Sequence, residues 1–363
     1  MKFFLSFCFY MMAYPAFAQL EKRLDSVINS SIRAGEPGIA LYVETLGKIV
    51  YNKGFGMADT EKNKKIGPKS NFRLASVSKQ FSAMCILLLE KDKKLSFDDP
   101  VSRFFPEFPA EIGNKILLRH LITHSSGILD YEEIMDNSSS KQLLDMDVLN
   151  LLKKQSETYF EPGSQFRYSN SAYALLALIT ERVSGKSFSE FMKERIFKPL
   201  KMKNSLVYEA GVNIPNRTMG FARDKDQKLY ANDQSPTSAV KGDGGVYTSL
   251  SDYRKWTEAL WNGSLLDLPS FLSRLNFSIK EVTGSYYGPG WFYFDKGSPA
   301  LFHSGSTCGF STFSINIPGQ KTSIVYFSNI AGNSEPFKKI LDALSLEGIS
   351  NPAEVFELHQ LTR

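Results

Sequence analysis

The sequence predicts an α/β fold of the α+β kind: one antiparallel sheet flanked by helices, with a large helical insertion. Strand-and-turn patterns lie near both ends of the chain, and the long stretch between them follows a helical apolar period. A length of 363 residues suits one large domain or two closely packed ones. No linker, repeat or low-complexity tract separates parts of it.

Taken in order, Met1 and Lys2 open an apolar stretch from Phe3 to Tyr14, closed by Ala16-Phe17-Ala18. A charged start, an apolar core and a small-x-small end predict a leader over 1–18, cut after Ala18. The stretch is shorter than the roughly 20 apolar residues of a spanning helix. Cys8 follows the bulky Phe7 and comes too early for a lipid anchor. The mature chain is therefore expected to be exported, periplasmic or secreted, with no stable membrane insertion.

Gly38 to Val43 and Ile49 to Tyr51 flank Leu46-Gly47-Lys48, a predicted hairpin. Val148 to Lys153, Ser171 to Val183 and Phe188 to Phe197 read as helices, with Gly185 a C-cap of the second. Gly309 to Ile317 and Thr322 to Phe327 flank Pro318-Gly319-Gln320, a second hairpin, and Glu335 to Leu346 reads as a closing helix. The boundaries that follow are a domain over 19–348 and a tail over 349–363. Within the domain, a sheet part covers about 19–95 and 285–348, and a helical part about 96–284. A cleft is expected where the two parts meet.

Composition narrows the function. Hydrophobic residues make up 42% and charged residues 22%, and the net charge of +5 is spread without a basic run. Nucleic-acid binding calls for a concentrated basic stripe, so no nucleic-acid partner is expected. Once the leader is removed, Cys85 and Cys308 remain. They could form one disulfide, although Cys85 sits in the apolar run Met84 to Leu89, where a buried thiol is equally natural.

The chemistry concentrates first at Arg73 to Phe81. An apolar helix running to about Leu89 carries Ser76 at its start, where free N–H groups and the helix dipole favour negative charge. Lys79 stands one turn on, on the same side. A serine hydroxyl needs a neighbouring base to become a nucleophile, and a lysine serves if desolvation and nearby positive charge lower its pKa. The bland alternative is a helix-capping serine and a solvated lysine. Of the competing patterns, His120 and His124 have the spacing of a zinc-binding helix pair but lack the following Glu. No Gly-x-Ser-x-Gly elbow exists. No metal or cofactor is expected.

Further motifs follow in order: Tyr168-Ser169-Asn170, then His303-Ser304-Gly305. The series Ser-x-x-Lys, Tyr-x-Asn and basic-x-Gly resembles the penicillin-recognising serine hydrolases: class C β-lactamases, D-alanyl-D-alanine carboxypeptidases, D-aminopeptidases and related esterases. Leu118 to Ile128 and Gly242 to Ser249 look like two more segments of that family, so the resemblance extends over about 30–330. It implies the β-lactamase/transpeptidase-like fold and an acyl-enzyme at Ser76, with Lys79 assisting proton transfer. Tyr168 would share acid and base work, its phenol made more acidic by neighbouring cations. Asn170 would hold Lys79 and the substrate amide. Ser76 and Ser306 would supply oxyanion-hole N–H groups, and His303, Ser304 and Gly305 would line the substrate. Class C β-lactamases usually carry lysine where this chain has His303, and histidine is only partly charged near neutral pH. Weak antibiotic hydrolysis is therefore expected. The substrate classes implied are D-amino-acid peptides, small esters and, weakly, β-lactams; the alternative is a penicillin-binding sensor that acylates with little turnover.

Overall fold

The computed structural model describes residues 18–294, 300–349 and 357–360. All of the expected leader except Ala18 lies outside them, as does most of the tail.

Chain order sets the architecture. Helix α1 (18–31) precedes strand β1 (Ile39–Thr45) and strand β2 (Lys48–Phe55). Their turn, Leu46-Gly47, has φ of 51° and 73°, the two positive angles that a tight hairpin matching strand twist requires. Glycine supplies one cheaply, while Leu46 is strained and exposed.

A mainly helical stretch follows. Its parts that matter for the site are α2 (Lys79–Lys91), α3 (Asp145–Leu152), α4 (Asn170–Ser184) and α5 (Leu250–Asn262). Helix α4 begins on Ser169, whose hydroxyl accepts from Ala172 N, and ends on Gly185 at φ 70°. Helix α2 is buried on all sides from Lys79 to Leu89, so it runs through the middle of the domain. Gln80 ties it to α5, its Oε1 accepting from Tyr253 Oη at 2.7 Å and Trp256 Nε1 at 3.0 Å.

The sheet resumes with β3 (Phe277–Ile279), β4 (Ser285–Gly288), β5 (Trp291–Phe294), β6 (Leu301–Thr307), β7 (Phe310–Ile317) and β8 (Thr322–Ser328), and α6 (Glu335–Ser345) follows. Eight antiparallel strands run in the order β3-β4-β5-β6-β7-β8-β1-β2. The sheet thus begins at Phe277, short of the boundary expected at 285, because the three-residue β3 is too brief to show a period.

Among the described residues, β5 and β6 pair only at Phe292↔Phe302, whereas β6 and β7 pair from Leu301↔Asn316 to Thr307↔Phe310. From His303 onward one edge of β6 is thus left beside the turn that carries Ser76. No described helix is long and apolar enough to cross a membrane. Cys85 and Cys308 are free thiols.

Candidate active site

Ser76 does not open the long helix itself. It lies in a 3-10 turn, Ala75–Ser78, one step ahead of α2. Ala75 has φ 49°, a left-handed conformation that costs an L-residue about 1–2 kcal/mol. The surroundings hold it there: Leu74 N donates to Val246 O at 2.9 Å, and the Leu74 carbonyl accepts from Thr312 Oγ1 at 2.7 Å.

Gly305 explains the last motif. A Cβ there would stand 2.3 Å from Leu74 O, 2.6 Å from Thr312 Oγ1 and 3.0 Å from Ser76 N. Only glycine lets β6 lie against the serine turn. The contact sets Ser306 beside Ser76, and both line the same cleft.

Four of the sequence-derived residues meet around one ammonium. Lys79 Nζ donates to Ser76 Oγ at 3.1 Å, to Asn170 Oδ1 at 2.8 Å and to the Asp243 carbonyl at 2.9 Å. It lies 4.8 Å from the centre of the Tyr168 ring. Burial lowers the Lys79 pKa to about 8, while Asp243, Glu132 and Asp130 pull it back up. Desolvation is therefore the cause, and the nearby charge is negative rather than the positive charge expected.

Tyr168 departs from expectation more sharply. Its hydroxyl is buried without a hydrogen-bond partner among the described residues. Burial pushes its pKa well above the usual phenol value. A phenol in this setting rests protonated, so it is suited to giving a proton and Lys79 to taking one.

His303 also differs. Its side chain is fully buried, with Nδ1 donating to the Ser304 carbonyl at 2.7 Å and Nε2 3.3 Å from Tyr287 Oη. Burial, reinforced by Lys79, lowers its pKa to about 3. At neutral pH it is an uncharged packing group, and no charge remains on it to clamp a substrate carboxylate. Ser304 and Ser306 alternate with His303 and Gly305 along β6 and face the other side of the strand.

Several functional neighbours escaped the sequence reading. His124, considered there only as half of a discounted zinc pair, holds the Tyr168-to-Asn170 loop. Its carbonyl accepts from Arg167 N at 2.9 Å, its Nδ1 accepts from Ser169 N at 3.1 Å, and its ring lies 4.4 Å from that of Tyr168. His120 is used separately, its Nδ1 accepting from Leu117 N. Asp130 Oδ2 accepts from Asn170 N at 2.8 Å, and Glu132 Oε2 from Asn170 Nδ2 at 3.3 Å. Asp243, fastened by Tyr131 Oη at 2.9 Å, is pushed up to about 7 by burial, against the pull of Lys79. Burial and Asp130 also raise the Glu132 pKa. Asp243 had a signal in the glycine-rich segment around it; Asp130 and Glu132 had none.

A family model described as Beta-lactamase matches residues 17–347. The chain belongs to the β-lactamase family. Within the curated part of this family it is 30% identical over 331 residues to a penicillin-binding protein of Bacillus subtilis (strain 168), an alignment covering 86% of this chain and 72% of that one. Among solved structures, it resembles the octameric penicillin-binding protein homologue from Pyrococcus abyssi, with a TM-score of 0.79 and 26% identity over 92% of this chain and 78% of that one. It also shares its fold with the D-amino acid amidase from Ochrobactrum anthropi SV3, with a TM-score of 0.76 and 22% identity over 91% and 99% of the two chains. The β-lactamase/transpeptidase-like fold expected from the motifs is thus the fold observed, and the chain is a β-lactamase-family serine hydrolase.

Proposed function

We propose that this hydrolase, exported by its leader, acylates Ser76 with donors that carry a free amine, namely D-amino-acid amides and peptides. The observation that carries the reading is Glu132, lining the cleft beside Ser76 and Asn170 together with the partly protonated Asp243 and with Arg73, whose guanidinium is already held by the Ser238 carbonyl. An ammonium entering that space meets opposite charge in a partly desolvated setting, where attraction is stronger than in bulk water. His303, neutral and turned inward, offers no matching charge for the carboxylate of a β-lactam, which supports weak antibiotic turnover.

In the proposed reaction the fraction of Lys79 that is neutral takes the Ser76 proton as Oγ bonds to the substrate carbonyl. Backbone N–H groups of Ser76 and Ser306 receive the oxyanion. The C–N bond then breaks, the Tyr168 phenol protonates the departing amine, and the Lys79 ammonium returns its proton to Tyr168, so both groups regain their resting forms. Water then attacks the acyl carbonyl, Lys79 taking its proton and passing it to Ser76 Oγ as the Oγ–C bond breaks and the acid leaves.

The test compares D-alaninamide with N-acetyl-D-alaninamide as substrates of the mature chain. The expected result is at least a tenfold preference in kcat/KM for the free amine, abolished in Ser76→Ala and reduced in Glu132→Gln. Equal turnover of the two amides, or a lasting penicillin adduct on Ser76 with neither amide cleaved, overturns the reading in favour of a sensor.

A further inference from the structure

Two cavities meet at Ser76. The acidic one, with Glu132 and Asp243, is small, about 40 Å³. The other, which shares Ser76 and Ser306 with it, measures about 450 Å³, within the roughly 300–1,000 Å³ of pockets that enclose small organic ligands. Among the described residues its lining carries no acidic side chain: Ser304, Ser306, Ser311, Ser334, Phe313 and His359 surround it.

His359 comes from the short helix 357–360, beyond α6. Two contacts fix it in place. Leu358 is 1% exposed and joins the main core. The His359 ring packs edge-on to Phe313 at 5.0 Å, and Phe313 stacks on Phe337 of α6 at 4.4 Å. On its polar side, His359 Nδ1 lies 3.0 Å from Ser304 Oγ. Ser304 is two residues from Ser306 on the same face of β6. The end of the chain therefore walls the larger cavity at the strand beside the nucleophile.

Resting on the proposed reading, which sends the amine of the acyl donor into the acidic side, we propose that the larger cavity receives the leaving group and that His359 is a specificity-determining residue limiting its length. The hydroxyl-rich lining suits an uncharged peptide-like leaving group, whose N–H and C=O groups need partners when desolvated. An imidazole hydrogen-bonded to Ser304 and backed by an aromatic ring makes a rigid wall.

The experiment measures kcat/KM of full-length protein, His359→Ala and His359→Trp on two compounds with the same acyl part: D-alaninamide, which releases ammonia, and D-alanyl-triglycine, which releases a tripeptide. Thermal melting and Ser76 labelling by a fluorophosphonate accompany each variant. The ratio of long to short leaving group should rise about tenfold in His359→Ala and fall severalfold in His359→Trp. A ratio unmoved in both variants, or moved in the same direction by both, overturns the wall while leaving the substrate reading intact. A wild-type chain that labels at Ser76 but cleaves neither compound overturns the substrate reading, and the wall with it.

Discussion

The imidazole of His124 packs against the Tyr168 ring at a tilt of 37°, 4.4 Å between centroids, while its Nδ1 accepts from the amide of Ser169, the residue between Tyr168 and Asn170. One buried histidine thereby fixes both the phenol and the carboxamide that converge on Lys79. Replacing it with alanine removes the ring contact and strands a buried N–H, a cost of about 1–3 kcal/mol. His124→Ala should lose at least tenfold in kcat with a smaller change in KM, and His124→Asn, which restores an acceptor, should recover part of it. Steady-state kinetics with p-nitrophenyl acetate read this directly; equal losses in the two variants would argue against an orienting role.

Lys79 titrates at about 8 through burial, and Tyr168 stays protonated across the accessible range. The acylation rate should therefore climb with pH as Lys79 gives up its proton, with a midpoint near 8. Because Glu132 favours the charged form of Lys79, Glu132→Gln should move that midpoint to lower pH. Burst kinetics between pH 6 and 9.5 give both values.

Gly305→Ala would press a methyl group into the Leu74 carbonyl and the Thr312 hydroxyl. Backbone cannot yield cheaply there, so β6 and the Ser76 turn must separate. A misplacement of about 1 Å costs about 100-fold in rate, and the same loss is expected in Ser76 labelling by a fluorophosphonate. Labelling at the wild-type rate would show that the close approach is not needed.

Acid stability should bear the mark of His303. Its folded pKa is about 3, below the ordinary 6.5, so between those values the unfolded chain binds a proton that the folded chain refuses. Its contribution to stability is intact above 6.5 and is lost as pH falls toward 3. The difference in melting temperature between wild type and His303→Asn should therefore shift in favour of the variant, by about 2 °C or more, between pH 7 and pH 4.5. A constant difference across that range would count against a buried neutral imidazole.

The parts of the site legible in the sequence are those fixed by short spacing. Ser76 and Lys79 share one turn, Tyr168 and Asn170 flank a single residue, and Gly305 is a glycine because a side chain has no room. Environment was not legible. Nothing in the spacing of Asp130, Glu132 and Asp243 brings them to Lys79; the fold does, across about 50 residues for the first two and 164 for the third. The same limit explains the two pKa expectations that failed. A residue type gives the intrinsic acidity of Tyr168 or His303, but the depth at which each ends up, packed with Tyr287 and Phe292, decides the sign of the shift. For the fold, both hairpins and the closing helix were readable from alternation and turn residues. Strand β3 was not, since three residues show no period.

The pairing of β1 with β8, from Ile39↔Ser328 to Glu44↔Ser323, joins segments made at opposite times during synthesis. Until the ribosome has delivered the last strand, β1 has only β2 beside it, and its other edge is open to any passing chain. Closure across so long a loop is slow. A nascent or prematurely terminated polypeptide therefore spends its vulnerable period with a sticky, half-built sheet, and nonsense mutations upstream of Thr322 should yield aggregates rather than a smaller working enzyme.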